Sequence, residues 1–284
     1  LRQRRDITHC YIRMFITIEE TVMGIRWMCA ALPLIIVLVF LPATTSFAQG
    51  NSTADRVATL FEEGKYSEAR PLLEEALQDT LLPRNQRANL LFQLAFALIE
   101  LDELRASVNT WHALIAIVPN HPMIWGNTGW AHYLEGNLDS AIIATERSLG
   151  IDESQAWIWG NMGLYQLAAG DLTKMRKSYQ RAASLAAALD VWDAIRFDLE
   201  TLCGGDDPPE GCDAAWKVVK AEWMTVLRVV YAASETPSGT KLVTDHRAEY
   251  EKLQQILTEE LESAEGEKRE KAEALLKRLS KDLE

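Results

Sequence analysis

The chain repeats itself. Ile124-Trp125-Gly126-Asn127-Thr128-Gly129 returns as Ile158-Trp159-Gly160-Asn161-Met162-Gly163 at a displacement of 34 residues, and Gly136-Asn137-Leu138-Asp139 returns as Gly170-Asp171-Leu172-Thr173 at the same displacement. One step back lies Asp102-Glu103-Leu104-Arg105, and a looser step of 38 residues reaches Gly64-Lys65-Tyr66-Ser67. A fixed period of this length means stacked supersecondary units, none of which can bury its apolar face alone. It constrains the fold more than any single motif does.

Each unit reads as two helices around a short turn. In the unit beginning at Pro122, Trp125, Thr128/Gly129 and His132 follow the i, i+3/i+4, i+7 spacing, and after Gly136 the residues Leu138, Ala141, Thr145 and Leu149 continue it. Gly64, Gly136 and Gly170 stand where the first helix must stop and reverse, a place suited to a left-handed residue. Ala95, Gly129 and Gly163 on the first helix face positions of the Ala69, Ser107 and Ala141 type on the second, where little side-chain bulk lets the axes approach. Scaffold packing accounts for nearly all of these Gly, Ala and Trp positions.

This pattern resembles the tetratricopeptide repeat family, on Trp125/Trp159, Gly129/Gly163, Gly64/Gly136/Gly170, Tyr66/Leu104/Leu138/Leu172, Ala69/Ala141, Ala76/Ala182 and Pro119. The resemblance implies an all-α, right-handed solenoid of about four hairpins over residues 50–189, divided at about 50–83, 88–121, 122–155 and 156–189. The first hairpin carries extra loop residues around Leu82 to Arg87, and the last has Met175 where a small residue is usual. It further implies a concave groove lined by the first helices, with Asn127 and Asn161 facing it. By the same register Phe92, Gln93, Phe96, Trp130, Tyr133, Trp157 and Leu164 line that groove. An Asn side chain both donates and accepts, so it can pair with the backbone of an extended segment, and aromatic side chains add contact area at low entropic cost. The alternative for about half of the aromatics is inter-repeat core. The basic residues that grip a C-terminal carboxylate in chaperone-binding members are absent at these positions, so that activity is not expected.

Past the repeats, residues 190–235 keep a helical apolar spacing through Trp192, Ile195, Leu199, Trp216, Val219, Trp223, Leu227 and Val230, which suggests a capping hairpin. It is interrupted by Cys203 and Cys212, which flank Gly-Gly-Asp-Asp-Pro-Pro-Glu-Gly. In an oxidising compartment the two thiols read as a disulfide; the alternative, a metal pair, lacks nearby Cys or His to complete four ligands. Carboxylates at Asp206, Asp207 and Glu210 could meet Ca²⁺, but a rigid exposed loop explains them more simply, and no metal or cofactor is expected. Residues 241–284 read as a charged amphipathic helix or helix pair, with Gly266 separating two apolar stripes.

The compartment follows from the start of the chain. Residues 23–48 pass from Met23 and Arg26 through the 15-residue apolar run Cys29–Ala43 to Ser46-Phe47-Ala48, the order of a secretory signal peptide. A bilayer span needs about 20 such residues, so cleavage after Ala48 is the first reading and an uncleaved membrane anchor the alternative. Residues 1–22 contain Glu19-Glu20, make a poor basic leader and read as an upstream extension. The expected location is periplasmic or secreted.

With 29 Lys+Arg against 41 Asp+Glu the formal net charge is −12, which disfavours nucleic acid and anionic membrane surfaces. Among His112, His121, His132 and His246 no pair has the i, i+4 metal-site spacing, and no nucleophile elbow or phosphate-binding glycine loop occurs. These observations lead to an exported, non-enzymatic protein-binding or assembly module with an unidentified protein or peptide partner. The rival is a regulatory or substrate-recruiting component of an envelope enzyme system, or part of a larger enzyme. Self-assembly through the C-terminal segment is a third reading.

Overall fold

The computed structural model describes residues 53–234 and 238–284; the upstream extension at 1–22 and the leader at 23–48 lie outside the described residues. Among the described residues the regular structure is entirely helical. They form two compact units that divide between Leu101 and Asp102.

The first unit contains α1 (Thr53–Glu62), α2 (Tyr66–Leu77) and α3 (Arg84–Glu100). Each buries a stripe at helical spacing: Val57 and Phe61, then Ala69 and Leu73, then Leu94, Ala95, Ala97 and Leu98. Gly64, at φ 67°, ends α1. Its N–H donates to Phe61 O at 3.0 Å and the N–H of Lys65 donates to Leu60 O at 2.7 Å, the paired bonds that close a helix around a left-handed residue. The chain from Leu82 to Arg87, expected as loop, is helical from Arg84. Pro83 at φ −53° precedes the first turn, and the Arg87 guanidinium donates to the carbonyls of Leu77, at 3.1 Å, and Asp79. Those contacts satisfy acceptors left over beyond α2. The helix of this repeat therefore extends from Arg84.

The second unit opens with α4 (Leu104–Ile117), α5 (Pro122–Leu134), α6 (Leu138–Ile151), α7 (Ala156–Ala168) and α8 (Leu172–Leu185). The turns inside the pairs α5–α6 and α7–α8 use one device. Gly136 and Gly170, at φ 86° and 77°, are followed at once by a capping residue. Asn137 Oδ1 accepts from Ser140 N at 3.2 Å, and Asp171 Oδ1 accepts from Lys174 N at 3.0 Å. The joints before these pairs also match. Trp125 Nε1 donates to Pro119 O at 2.7 Å and Trp159 Nε1 donates to Glu153 O at 2.8 Å, so each repeat indole pins its helix to the preceding connection. Paired axes approach closely: a Cβ at Gly129 would lie 2.4 Å from Thr145 Oγ1, and one at Gly163 would lie 2.9 Å from the Tyr179 ring.

The capping segment supplies α9 (Leu189–Cys203), α10 (Cys212–Ala221) and α11 (Trp223–Ala233). Its Trp192, Ile195, Leu199, Ala215, Val218, Val219, Val226 and Val230 share one core with Met175, Tyr179, Ala182 and Ala183 of α8. Thus α9 stacks as a further first helix, while α10 and α11 act as a second helix bent at Glu222. Cys203 and Cys212 are bonded, with Cα atoms 5.7 Å apart. Gly211, at φ 100°, lies so close to Leu172 that a Cβ there would be 2.3 Å from Leu172 Cδ2, so the clipped loop lies against the start of α8.

The C-terminal segment takes the helix-pair form, of the two that its sequence allowed. It forms the short α12 (Ser238–Asp245) and a hairpin of α13 (Arg247–Ser263) and α14 (Gly266–Leu283). Val243, Tyr250, Leu253, Leu257, Ala272, Leu279 and Leu283 join Leu227 and Tyr231 of α11 in a second core. Burial of both apolar stripes is the reason a segment so rich in charge folds back on α11. Polar contacts fix the seam. Tyr231 OH donates to Asp282 Oδ2 at 2.6 Å, Arg228 pairs with both Glu260 oxygens at 2.6 and 3.3 Å, and Arg278 donates to the carbonyls of Tyr231 and Ser234.

Candidate functional site

Asn127, Trp130 and Tyr133 lie at i, i+3 and i+6 on α5, and all three are half-buried. Asn127 Nδ2 donates to Met123 O of its own helix at 2.9 Å, which leaves Oδ1 as its acceptor. The Trp130 and Tyr133 ring centroids are 5.5 Å apart, and Tyr133 stacks on Tyr165 of α7 at 4.8 Å. Trp130 and Tyr133 thus form a partly exposed aromatic pair on α5 beside an amide, backed by the fully buried Tyr165 of α7.

The corresponding positions of α7 are different. Trp157, Asn161 and Leu164, expected on an open groove, are 7%, 4% and 2% exposed. The cause is α9. A Cβ at Gly160 would lie 2.4 Å from Ile195 Cγ1, and Leu202 packs with the cluster of Ala141, Leu164 and Tyr165. These three residues serve as packing between successive first helices. In the first unit Phe92, Gln93 and Phe96 are half-buried on α3. Phe96 belongs to a ring cluster, 6.4 Å from Phe61 and 6.3 Å from Tyr66. Burial, aided by Glu100, pushes the Tyr66 hydroxyl up to about 12, so it remains a neutral part of that cluster.

One residue on the face of α5, α7 and α9 escaped sequence reasoning. Asp198 stands between Ile195 and Leu202 on α9, at the spacing of the stripe that faces the preceding helix. Burial raises its carboxyl to about 7. The hydroxyl of Tyr133 is raised by burial and then by the charge of Asp198. That of Tyr179 is raised by burial, then Asp198, then Tyr133. Oxygen groups from α5, α8 and α9 therefore sense one another. Tyr179 is fully buried with its ring against Gly163, and its hydroxyl has no hydrogen-bond partner among the described residues. The signal in the sequence was a carboxylate inside an otherwise apolar stripe.

Elsewhere, His112 and His132 meet edge to face at 5.5 Å, and burial followed by His112 lowers the His132 pKa. Among the described residues no group of three or more His, Cys, Asp or Glu is placed to hold a metal. No helix among them is long and apolar enough to cross a membrane.

Residues 60–126 match the tetratricopeptide repeat family. No curated protein matches the chain by sequence. Among solved structures it is similar to MamA protein, with 13% identity, coverage of 62% of this chain and 89% of that one, and a TM-score of 0.46. The MamA RS-1 ArsTM double mutant gives 17% identity, 60% and 92% coverage and a TM-score of 0.46. Naa15/Naa10 bound to HypK-THB gives 15% identity, 81% and 34% coverage and a TM-score of 0.37.

Proposed function

We propose, from the premise that this chain is a tetratricopeptide-repeat protein, that it is an interaction module holding an extended protein segment on its first-helix face at α5. The observation that carries this reading is the half-buried trio Asn127, Trp130 and Tyr133, which combines aromatic area with an amide acceptor. An extended segment offers backbone N–H groups to such an acceptor, and its apolar side chains gain by covering the rings. The module is non-enzymatic in this reading, takes no cofactor, and has a protein or peptide partner.

The same proposal places it outside the cytoplasm, periplasmic or secreted after removal of residues 23–48, with membrane anchoring by an uncleaved leader as the alternative. The bonded pair Cys203 and Cys212 suits an oxidising compartment. N-terminal sequencing of protein recovered from the envelope fraction tests this part. A start near Gln49 is expected, and intact protein confined to the cytosol contradicts it.

Binding is tested by selecting extended peptides from a random library against the chain without its leader. The peptides are then titrated against Trp130→Ala and Asn127→Ala. Losing the indole weakens binding by about tenfold or more and losing the amide by roughly 2- to 15-fold, with thermal unfolding little changed. Equal affinity for both variants and the parent places recognition elsewhere.

A further inference from the structure

Helix α8 departs from the charge of the rest of the chain. The net charge is −12, yet α8 carries Lys174, Arg176, Lys177 and Arg181 and no acid, a combination found in no other described helix. Met175, Ser178, Tyr179, Ala182 and Ala183 are its buried residues, so the cations occupy the remaining face. Lys174 pairs with Asp171 at 3.2 Å and Arg181 with Glu153 at 3.4 Å. Arg176 and Lys177 are exposed and have no ion-pair partner among the described residues.

Helix α10 extends this surface. Gly211 at its start meets Leu172, and Glu222 just past its end accepts from Gln180 Nε2 at 3.3 Å, so α10 runs beside α8 in the same direction. Arg176 lies midway between Leu172 and Gln180, and Lys217 lies near the middle of the stretch from Gly211 to Glu222, which sets the two at one level along the seam. Lys217 is exposed and has no ion-pair partner among the described residues, and Lys220 is exposed with its ammonium 5.9 Å from the Trp216 ring. From Lys174 to Arg181 the strip is about 10 Å long, the span of about three residues of extended chain. Acids bound it. Asp206, Asp207 and Glu210 are exposed in the loop that leads into Gly211, Asp213 is exposed in the first turn of α10, and Asp190 and Asp193 are exposed at the start of α9.

We propose that Arg176, Lys177, Lys217 and Lys220 form a second docking surface, for a short acidic protein segment, independent of the site on α5. Exposed cations at fixed spacing complement carboxylates, and such pairing steers association and fixes register more than it adds affinity. The size of the strip selects this occupant over larger polyanions. A nucleic-acid duplex or an anionic membrane covers far more than the strip and would also lie against the flanking acids, whose repulsion acts over about a Debye length. A bilayer is further disfavoured because the one large apolar side chain exposed on α8 and α10, Leu172, is held against Gly211. The acids at the Gly211 end repel the bound segment too, so its carboxylates seat towards Lys220.

The test is a fluorescence-anisotropy titration of the full chain without its leader, using two labelled peptides in which Ala alternates with Glu or with Gln. At low salt the Glu peptide binds about tenfold tighter than the Gln peptide, and the preference shrinks as salt is added. Reversing three exposed positions together, Arg176→Glu, Lys177→Glu and Lys217→Glu, weakens the Glu peptide about tenfold, and the neutral replacement of the same three by Gln weakens it by less. Reversing the exposed Lys252, Lys277 and Lys281 of the C-terminal hairpin to Glu removes as much charge and leaves affinity within about twofold, as does Trp130→Ala. Equal affinity for the Glu and Gln peptides overturns the proposal. Equal weakening by the two triple reversals also overturns it, since net charge then accounts for the effect, and loss of binding in Trp130→Ala moves the acidic segment to α5. Vesicles of phosphatidylglycerol and phosphatidylcholine in equal parts supply the membrane arm. Parent protein is not retained on them, and retention that disappears in the Arg176, Lys177 and Lys217 reversal would assign the strip to a lipid surface instead.

Discussion

Helices α5 and α7 start from nearly the same sequence and end in different surroundings. Trp125 and Trp159 both donate to the preceding connection, at 2.7 and 2.8 Å, and Gly126 and Gly160 both accommodate a side chain of the next first helix. The neighbour of Gly126 is Trp157, and the neighbour of Gly160 is Ile195. Asn127 nevertheless remains half-buried while Asn161 is 4% exposed. Contacts inside a repeat follow its motif. Exposure follows from what the chain places on top, and on α7 that is α9, carrying Ile195 and Leu202.

The strongest way to break this contrast is to remove the anchor of α9. Trp192 is fully buried in the core shared with α8, and Trp192→Ala should cost about 3–5 kcal/mol in urea unfolding. Equivalent loss from a mutation on α5 alone, with none from Trp192→Ala, would show that α9 is not the cover. Next in size is the clip. Replacing Cys203 and Cys212 by Ser opens a loop of sequence separation 9 and should remove about 2–3 kcal/mol. Hydrogen exchange should then speed up in α7 and α9 before α5. Free thiols in denatured, unreduced protein recovered from its native compartment would contradict the bridge itself.

Much of the repeat architecture is legible in sequence because turns and close approaches depend on local atoms. A left-handed φ of 86° at Gly136 and the room for Tyr179 over Gly163 both require glycine, so glycines at a constant period mark the hairpins. The burial of Asn161 and Leu164 is not legible this way, since it depends on a helix beyond the repeat whose spacing specifies helicity but not lateral reach. Asp198 is hidden for a related reason: a single carboxylate in a helix usually faces water, and only packing of α9 against α7 half-buries it. The C-terminal hairpin is partly legible. Its two apolar stripes and Gly266 are evident, but the Tyr231–Asp282 and Arg278 contacts that join it to α11 need the fold.

Two pH effects of opposite sign sharpen the contrast further. Asp198 rises from 3.8 to about 7 on folding, so between these values the native state binds more protons than the unfolded one. Stability therefore declines as pH rises across that window and levels off above it. Asp198→Asn should abolish the decline and raise stability at pH 8 on the order of 1–3 kcal/mol, with little change near pH 4. A decline of unchanged size in the variant would assign the effect to another group. His132 has its pKa lowered from 6.5 by burial and His112, so its contribution is complete above that pH and fades as pH falls below it. His132→Gln should flatten this smaller acid limb, as read by thermal melts between pH 7 and pH 5.

The central claim is that recognition occurs on the open face of α5, not on its covered twin or on the charged C-terminal hairpin. Deleting residues 241–284 would uncover Leu227 and Tyr231 and confuse binding with folding. Oxidative side-chain footprinting of the intact chain, with and without a saturating selected peptide, avoids that difficulty. The account predicts strong protection of Trp130 and Tyr133, little change at the already buried Trp157, and none along α13 and α14. Protection confined to α13 and α14, with Trp130 and Tyr133 as reactive as in the free protein, would contradict it.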